Sequence, residues 1–371
     1  MLTKKGTAPA EPYFEEILQR ALAGEELSVA DGEFLLRADG EELRALVRTA
    51  DEMRQRRVDD IVTYVKNRNL NFTNICIGTC KFCAFRRSPS DSDSYVLTCE
   101  EIEAKVRGAV SFGATEICVQ GGLHPNFGLE DYLRIIQTIR KISPDIHIHA
   151  FSPAELDHIA RREGMSIEEV VKILRDAGLN SVPGTAAEIL VDCVRSIICP
   201  RKITVKRWVE IVTTCHRLGL PTTATMLYGT VETPRDRAEH LALLRDIQRE
   251  TGGFTEFVLL PFMPYNTPLW NQRGIRSPPS LEDSLKVHAV ARLMLAGYID
   301  NIQASWVKLG SRGAQLMLTA GTNDLGGTLL EENITRAAGG DRQAMMPEQL
   351  ELLILELGRV PRQRTTTYEL I

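Results

Sequence analysis

Cys76, Cys80 and Cys83 lie close together in a C-x3-C-x2-C run between Asn71 and Phe85. Three thiolates complete neither a four-thiolate iron–sulfur site nor a tetrahedral structural zinc site, so either a fourth ligand comes from elsewhere or one metal position stays open. Structural zinc sites usually bring two ligand pairs, and no second C-x2-C or H-x3-H occurs; His124, the histidine nearest in sequence, has no paired ligand. A thioredoxin-like C-x-x-C leaves the third cysteine unexplained. A 4Fe–4S cluster with one unprotected iron fits the run best.

Positioning such a loop requires a scaffold. Residues 12–66 carry helical periodicity, with a stripe of Phe14, Ile17, Leu18 and Leu22 and possible N-caps at Ser28 and Asp31. From residue 70 onward, β-like runs alternate with helical segments. Strands are expected at Leu70–Ile75, Glu116–Gln120, Ile146–Phe151, Asn180–Pro183, Thr222–Tyr228, Glu256–Pro261, Asn301–Ser305 and Asn323–Leu325. Eight alternations with right-handed crossovers predict an α/β fold, a (β/α)8 TIM-type barrel, with a doubly wound sheet as second choice. The expected organisation is an N-terminal helical cap over 1–66, a barrel over 67–330, and a C-terminal helical extension and tail over 331–371. In such a barrel the active site lies at the carboxyl ends of the strands, where the chemistry-bearing residues of this chain concentrate.

The 371 residues are 43% apolar, 25% charged and 6% aromatic, ordinary for a globular enzyme. A net charge of −5 gives no long-range attraction for nucleic acid or anionic lipid. No apolar stretch is long enough to span a membrane. Met1-Leu-Thr-Lys-Lys leads into charged residues rather than an apolar core, unlike an export signal, so a cytoplasmic location is expected. Cys118, inside the apolar run Ile117-Cys-Val119, reads as strand core, and Cys193 and Cys199 as structural.

The cysteine run, with Phe82 just before its last cysteine and Phe85 soon after, resembles the radical S-adenosylmethionine (radical SAM) superfamily. The resemblance implies that the three cysteines hold three irons while S-adenosylmethionine chelates the fourth, and that a reduced cluster generates a 5′-deoxyadenosyl radical. Gln120-Gly121-Gly122 sits where the superfamily's glycine-rich motif meets the methionyl amine. Five further segments resemble the CofH family, the tyrosine-using subunit of deazaflavin FO synthase in coenzyme F-420 biosynthesis. They are Asn67–Asn74, Gln120–Pro125, His147–Pro153, Pro183–Leu190 and Phe254–Phe257. The implied reaction joins the 4-hydroxybenzyl fragment of L-tyrosine to C5 of 5-amino-6-(D-ribitylamino)uracil. The implied partners are a ferredoxin- or flavodoxin-type reductant and a separate CofG-type protein for ring closure. Sibling enzymes of the futalosine route to menaquinone are the first alternative; a non-catalytic iron–sulfur carrier is the alternative of another class.

Within that frame Ser152 and Glu155 are expected at the cofactor, together with Phe82, Phe85 and the Gln-Gly-Gly turn. Glu155 and Glu188 suit ribose hydroxyls or an ammonium group, or else serve as charges at helix N-termini. His124 and His149 suit proton transfer from the tyrosine phenol or amine, and equally structural roles. Thr185, Tyr228, Glu232, Asn323 and Asp324 are the expected substrate contacts; Glu232 reads equally as a loop charge, and Asn323 and Asp324 as caps. Trp306 and Phe151 are expected to line the cavity. Thr230 stands where histidine is expected in relatives, and its hydroxyl cannot replace an imidazole as acid or base.

Overall fold

Several helices of this chain begin where a hydroxyl residue is followed three positions later by an acid. Ser28, Thr98, Ser152, Ser166 and Thr233 each accept the N–H of that acid, whose carboxylate accepts the N–H of the cap. Asp31 is therefore the third residue of its helix rather than a cap. The computed structural model describes residues 12–275, 277–340 and 344–371. The opening segment, read above as no export signal, lies outside the described residues.

Three helices come first, α1 (Pro12–Leu22), α2 (Val29–Leu35) and α3 (Gly40–Val58). They pack on the outside of the barrel, α3 on the helix Leu281–Leu295 and α2 on the helix Pro234–Thr251. The strands are β1 (Ile61–Val65), β2 (Asn67–Leu70), β3 (Glu116–Val119), β4 (His147–Ala150), β5 (Thr222–Tyr228), β6 (Phe254–Pro261), β7 (Ile302–Ala304), β8 (Asp324–Gly327) and β9 (Val360–Gln363). All the paired strands run parallel, in the orders β5-β6-β7-β8-β1-β9 and β2-β3-β4. Bridges from His149 to Ser181 and from Val182 to Thr222 join β4 to β5. Because β1 and β2 are two halves of one strand interrupted at Lys66, the two arcs close into an eight-stranded barrel whose fourth strand is reduced to residues 181–182.

Two segment readings, one near each end of the chain, need correcting. The first barrel strand lies at 61–70, not Leu70–Ile75, so the segment read as helical through residue 66 ends in a sheet strand. Helix α3 stops at Asp59, which takes φ 53° without being glycine and so leaves no glycine signal in the sequence. The basic C-terminal segment is no trailing tail. It pairs with β1 as β9 and then turns inward, burying Arg364 to 2% exposure.

Along β2, β3 and β4 the alternation is polar inward and apolar outward. Leu70, Ile117, Val119 and Ile148 are fully buried in the layer beneath the helices. Asn67, Asn69, Glu116 and His149 face a cavity instead. Cys118 belongs to this inward row and lines the cavity, which corrects its reading as strand core.

Candidate active site

The cavity has a volume of about 420 Å3 and runs inside the barrel from the cysteine loop to Arg364 and Thr366, a size suited to small molecules. Cys76, Cys80 and Cys83 line it together with Phe82, Phe85, Gln120, Gly121, Gly122, His149, Ser152, Glu155, Thr185 and Glu188.

The loop holding the cysteines is tied down by backbone bonds. Cys83 N–H donates to Cys80 O at 3.3 Å, and Lys81 N–H to Ile198 O at 2.7 Å. Gly78 and Leu123 donate their N–H groups to Cys76 Sγ at 3.3 Å each. Such donors tune sulfur that ligates a metal. A Cβ on Gly122 would stand 2.3 Å from Ile75 O, so only glycine brings this turn against the cysteine loop. Burial pushes the Cys80 thiol up to about 12, and coordination to a metal cation reverses that preference.

Ser152 and Glu155 open the helix Pro153–Glu163 as a reciprocal cap. Glu155 accepts from Ser152 N–H and Oγ at 2.7 Å each and from Gly121 N–H at 3.3 Å. It therefore serves as a helix cap and as a cavity wall at once. Burial pushes its carboxyl up to about 7, against those hydrogen bonds. Glu188 and Ala186 take φ of 47° and 68°, a left-handed backbone unusual for residues with side chains. Buried Arg195 supports that turn by donating to the carbonyls of Ala186, Ala187 and Ile203. Glu188 pairs with Lys202, whose ammonium lies 5.5 Å from the centre of the Phe82 ring. Burial alone would lower the Lys202 pKa; Glu188 and the neighbouring cysteines outweigh it and keep the ammonium charged.

His149 is 6% exposed, and burial lowers it to about 4, so its imidazole is neutral. Its Nδ1 lies 2.7 Å from Ser181 Oγ.

Five expected site residues are not in the cavity wall. Tyr228 donates its hydroxyl to Ser284 Oγ at 2.9 Å. Glu232 accepts the N–H and hydroxyl of Thr230 at 2.9 and 2.6 Å and pairs with Arg237 at 2.9 Å. Asn323 Oδ1 accepts from Arg292 at 2.8 Å and from Ile302 N–H at 2.9 Å. Asp324 pairs with Arg364 at 2.6 Å. His124 accepts Asn126 N–H and packs in a tilted arrangement against the Phe127 ring, centroids 4.4 Å apart. In each case a neighbouring protein group takes up polar atoms of the side chain. Trp306, whose Nε1–H donates to Gly327 O, and Phe151, packed on Tyr132, are also absent from the wall.

Sequence reasoning missed Glu116, Lys202, Glu256, Arg364 and Thr366, all of which line the cavity. Glu116 and Glu256 were recoverable, because each is a polar residue on the inward phase of a barrel strand. Lys202 and the C-terminal pair follow from no pattern of that kind.

Comparisons with known proteins identify the family. Residues 70–244 match the family model of the radical SAM superfamily, and residues 251–371 match that of the CofH/MqnC C-terminal region. The chain is 50% identical over 359 residues, 96% of this chain and 93% of the relative, to a 5-amino-6-(D-ribitylamino)uracil–L-tyrosine 4-hydroxyphenyl transferase 1 of Methanosarcina barkeri. It is 52% identical over 325 residues, 87% of this chain and 93% of the relative, to the transferase of that name from Archaeoglobus fulgidus. The chain belongs to this family of radical SAM transferases. Solved structures share its fold. The [FeFe]-hydrogenase maturase HydG aligns with a TM-score of 0.74 at 16% identity, covering 96% of this chain and 77% of that one. Methylornithine synthase aligns with a TM-score of 0.71 at 19% identity, covering 93% and 97%.

Radical SAM transferases employ a 4Fe–4S cluster, S-adenosylmethionine and a one-electron reductant. The residues present fit that demand. The cysteine loop borders the cavity, glycine brings the Gln-Gly-Gly turn against it, and Thr79 Oγ1, Asn69 Oδ1 and Asn71 Oδ1 are buried without a hydrogen-bond partner. Among the described residues no three His, Cys, Asp or Glu side chains converge on a single ion; in a cluster each thiolate binds its own iron. No described helix is long and apolar enough to cross a membrane.

Proposed function

We propose that this transferase joins the 4-hydroxybenzyl fragment of L-tyrosine to C5 of 5-amino-6-(D-ribitylamino)uracil. The observation that carries the reading is the cavity behind the cysteine loop, with polar side chains set into its wall, in a chain about half identical to transferases named for those two substrates. Cys76, Cys80 and Cys83 hold the cluster. Gln120, Gly121 and Gly122 receive the methionyl end of S-adenosylmethionine, with Phe82, Phe85, Ser152 and Glu155 around the rest of it. Cluster and S-adenosylmethionine together supply a carbon-centred radical.

The chain's own residues position the substrates. The Glu188–Lys202 pair presents charge of both signs at the wall, which suits the ammonium and carboxylate of an amino acid. Thr185 contributes a hydroxyl, and His149 accepts a proton at the ring nitrogen that does not face Ser181. The uracil and its ribityl chain occupy the rest of the cavity. Ring closure to the deazaflavin falls to a separate CofG-type protein, a ferredoxin or flavodoxin supplies electrons, and a reducing cytoplasm suits an oxygen-sensitive cluster.

The test is to reconstitute the cluster anaerobically, add reductant, S-adenosylmethionine and both substrates, and weigh the product. A coupled product carrying the tyrosine aryl methylene is expected. Consumption of a futalosine-type substrate instead would assign the chain to the sibling enzymes whose C-terminal family model it shares.

A further inference from the structure

Beneath His149 the barrel holds two side chains that do not line the cavity. On β4, His147 and His149 project to the same face, and residue 181 bridges to His149 from the neighbouring strand position. Ser181 Oγ consequently lies between the two rings, 2.7 Å from His149 Nδ1 and 2.7 Å from His147 Nε2. A serine hydroxyl carries one proton and two lone pairs, so it donates to one ring while accepting from the other. Of the three residues only His149 lines the cavity. Ser181 is 2% exposed, while His147, at the N-terminal start of β4, is half-buried. The hydrogen-bonded row therefore leads from the cavity toward the other end of the barrel.

Three charges stand beside this row. Glu116 on β3 is in register with His147. Arg140, from the helix Leu129–Ile142, donates to Ile146 O at 2.6 Å, one residue before His147. Arg364 comes from the C-terminal segment and acts on His149 from the cavity floor. Burial lowers both imidazoles, which keeps the row neutral and free to pass a proton rather than store one.

The coupling reaction releases a proton that such a row can carry. Bonding the benzylic carbon to C5 makes C5 tetrahedral, so the C5–C6 double bond becomes C6=N and the 6-amino nitrogen gives up its hydrogen as a proton. The cluster would supply the one electron that cleaves the carbon–sulfur bond of S-adenosylmethionine and would take one back at coupling, so the sum is redox-neutral. The hydrogen abstracted from tyrosine ends on 5′-deoxyadenosine, and breaking Cα–Cβ leaves the imine of glyoxylate. The net ionic change is that the sulfonium charge is replaced by one proton, released in the cavity that His149 lines.

We propose that His149, Ser181 and His147 form a proton wire that carries this proton from the cavity to the N-terminal end of the barrel. The proposal rests on the coupling reaction above. His149 takes the proton on Nε2 and passes the one on Nδ1 to Ser181 Oγ. Ser181 passes its own proton to His147 Nε2, and His147 releases the proton on Nδ1 to water.

The test uses the reconstituted, reduced full-length enzyme with L-tyrosine, S-adenosylmethionine and the ribitylaminouracil, measuring coupled product and 5′-deoxyadenosine separately. Ser181→Ala is expected to slow the coupled product by about a hundredfold while 5′-deoxyadenosine still forms. His147→Gln is expected to do the same, and Ser181→Thr, which keeps the hydroxyl, to restore most of the rate. Nitrogen NMR of the histidine rings in the metal-free protein supplies a readout without turnover. Native protein should show one ring donating to Ser181 and one accepting, and Ser181→Ala should shift both. Coupled product from Ser181→Ala or His147→Gln at the native rate, or rings indifferent to Ser181→Ala, would overturn the wire while leaving the coupling reaction intact. No coupled product from the native enzyme would overturn the reaction and the wire with it.

Discussion

The two ends of the cavity treat their polar groups in opposite ways. At the floor, the hydrogen-bonding capacity is largely spent within the protein. Arg364 bonds Asp324 at 2.6 Å and Glu256 at 3.1 Å and stacks on the Tyr368 ring at 3.9 Å, while Tyr368 in turn bonds Glu256. Thr366 and Asn67 bond Glu116 at 2.7 and 2.8 Å, and Thr63 bonds Asp324 at 2.5 Å. At the mouth, Thr79 Oγ1, Asn69 Oδ1 and Asn71 Oδ1 are buried and unpaired. A buried polar group left open costs about 1–3 kcal/mol, so the mouth gives up stability that the floor conserves. Capacity is left open near the cysteine loop and closed around Arg364.

That contrast predicts which substitutions destroy function and which destroy the fold. The largest effect is expected at the mouth. Cys80→Ala should abolish cluster binding, read as iron content and visible absorbance, with little change in the melting temperature of the metal-free protein. Cys193→Ala, on an exposed residue, should change neither. Equal iron loss from both variants would break the assignment of the ligands. At the floor the pattern should invert. Arg364→Ala leaves Asp324 and Glu256 as buried carboxylates without their cation, a loss of about 3–5 kcal/mol. Urea unfolding of the metal-free protein measures it, and a loss below about 1 kcal/mol would show that the C-terminal segment does not hold the barrel closed.

The mouth was also the legible end. Cys76, Cys80, Cys83 and the Gln-Gly-Gly turn announce themselves because their chemistry is local: spacing within one loop, and glycine where backbone must approach backbone. Most barrel strands were legible for the same reason, since a run such as Thr222–Tyr228 is β-like by composition alone. The floor is non-local. Arg364 becomes meaningful only when β9 pairs with β1, roughly three hundred residues away in sequence, a contact that leaves no periodic signal. The first strand was misread because Ile61-Val-Thr-Tyr-Val65 follows α3 with almost no punctuation. Tyr228, Glu232, Asn323 and Asp324 were expected at the rim, but position at a strand end does not set where a side chain points: their polar groups are already taken by Ser284, Arg237, Arg292 and Arg364.

Acid should act on the body of the protein more than on its mouth. Burial lowers His149, His216 and His288 to about 4 and His240 to about 3. Such groups contribute stability that is present above the unfolded value of about 6.5 and is lost as pH falls through about 4. Burial raises Glu155 and Glu256 to about 7, and they act in the opposite sense, contributing stability below about 4.5 that is lost as pH rises through 7. Between pH 6.5 and 4.5 the four histidines outweigh the two carboxyls, so the unfolded state binds more protons. The unfolding free energy from urea titration should therefore fall between pH 7 and pH 5, by an amount on the order of a few kcal/mol. A flat profile would mean that these histidines are not buried as neutral rings.

The smallest predicted effect is the sharpest test of the contrast, because its sign is unusual. Thr79 Oγ1 is buried beside the cysteines without a partner, so the folded metal-free protein gains nothing from the hydroxyl. Thr79→Val replaces it with a methyl of similar shape and removes a desolvated polar atom. The metal-free variant should unfold at the same urea concentration as the native protein or slightly above it, a gain of about 1 kcal/mol or less. Affinity for S-adenosylmethionine in the cluster-loaded protein should fall severalfold, measured by calorimetry without turnover. If Thr79→Val instead destabilised the metal-free protein by as much as Arg364→Ala, the hydroxyl would be serving the fold. The mouth would then differ from the floor only in its position along the barrel.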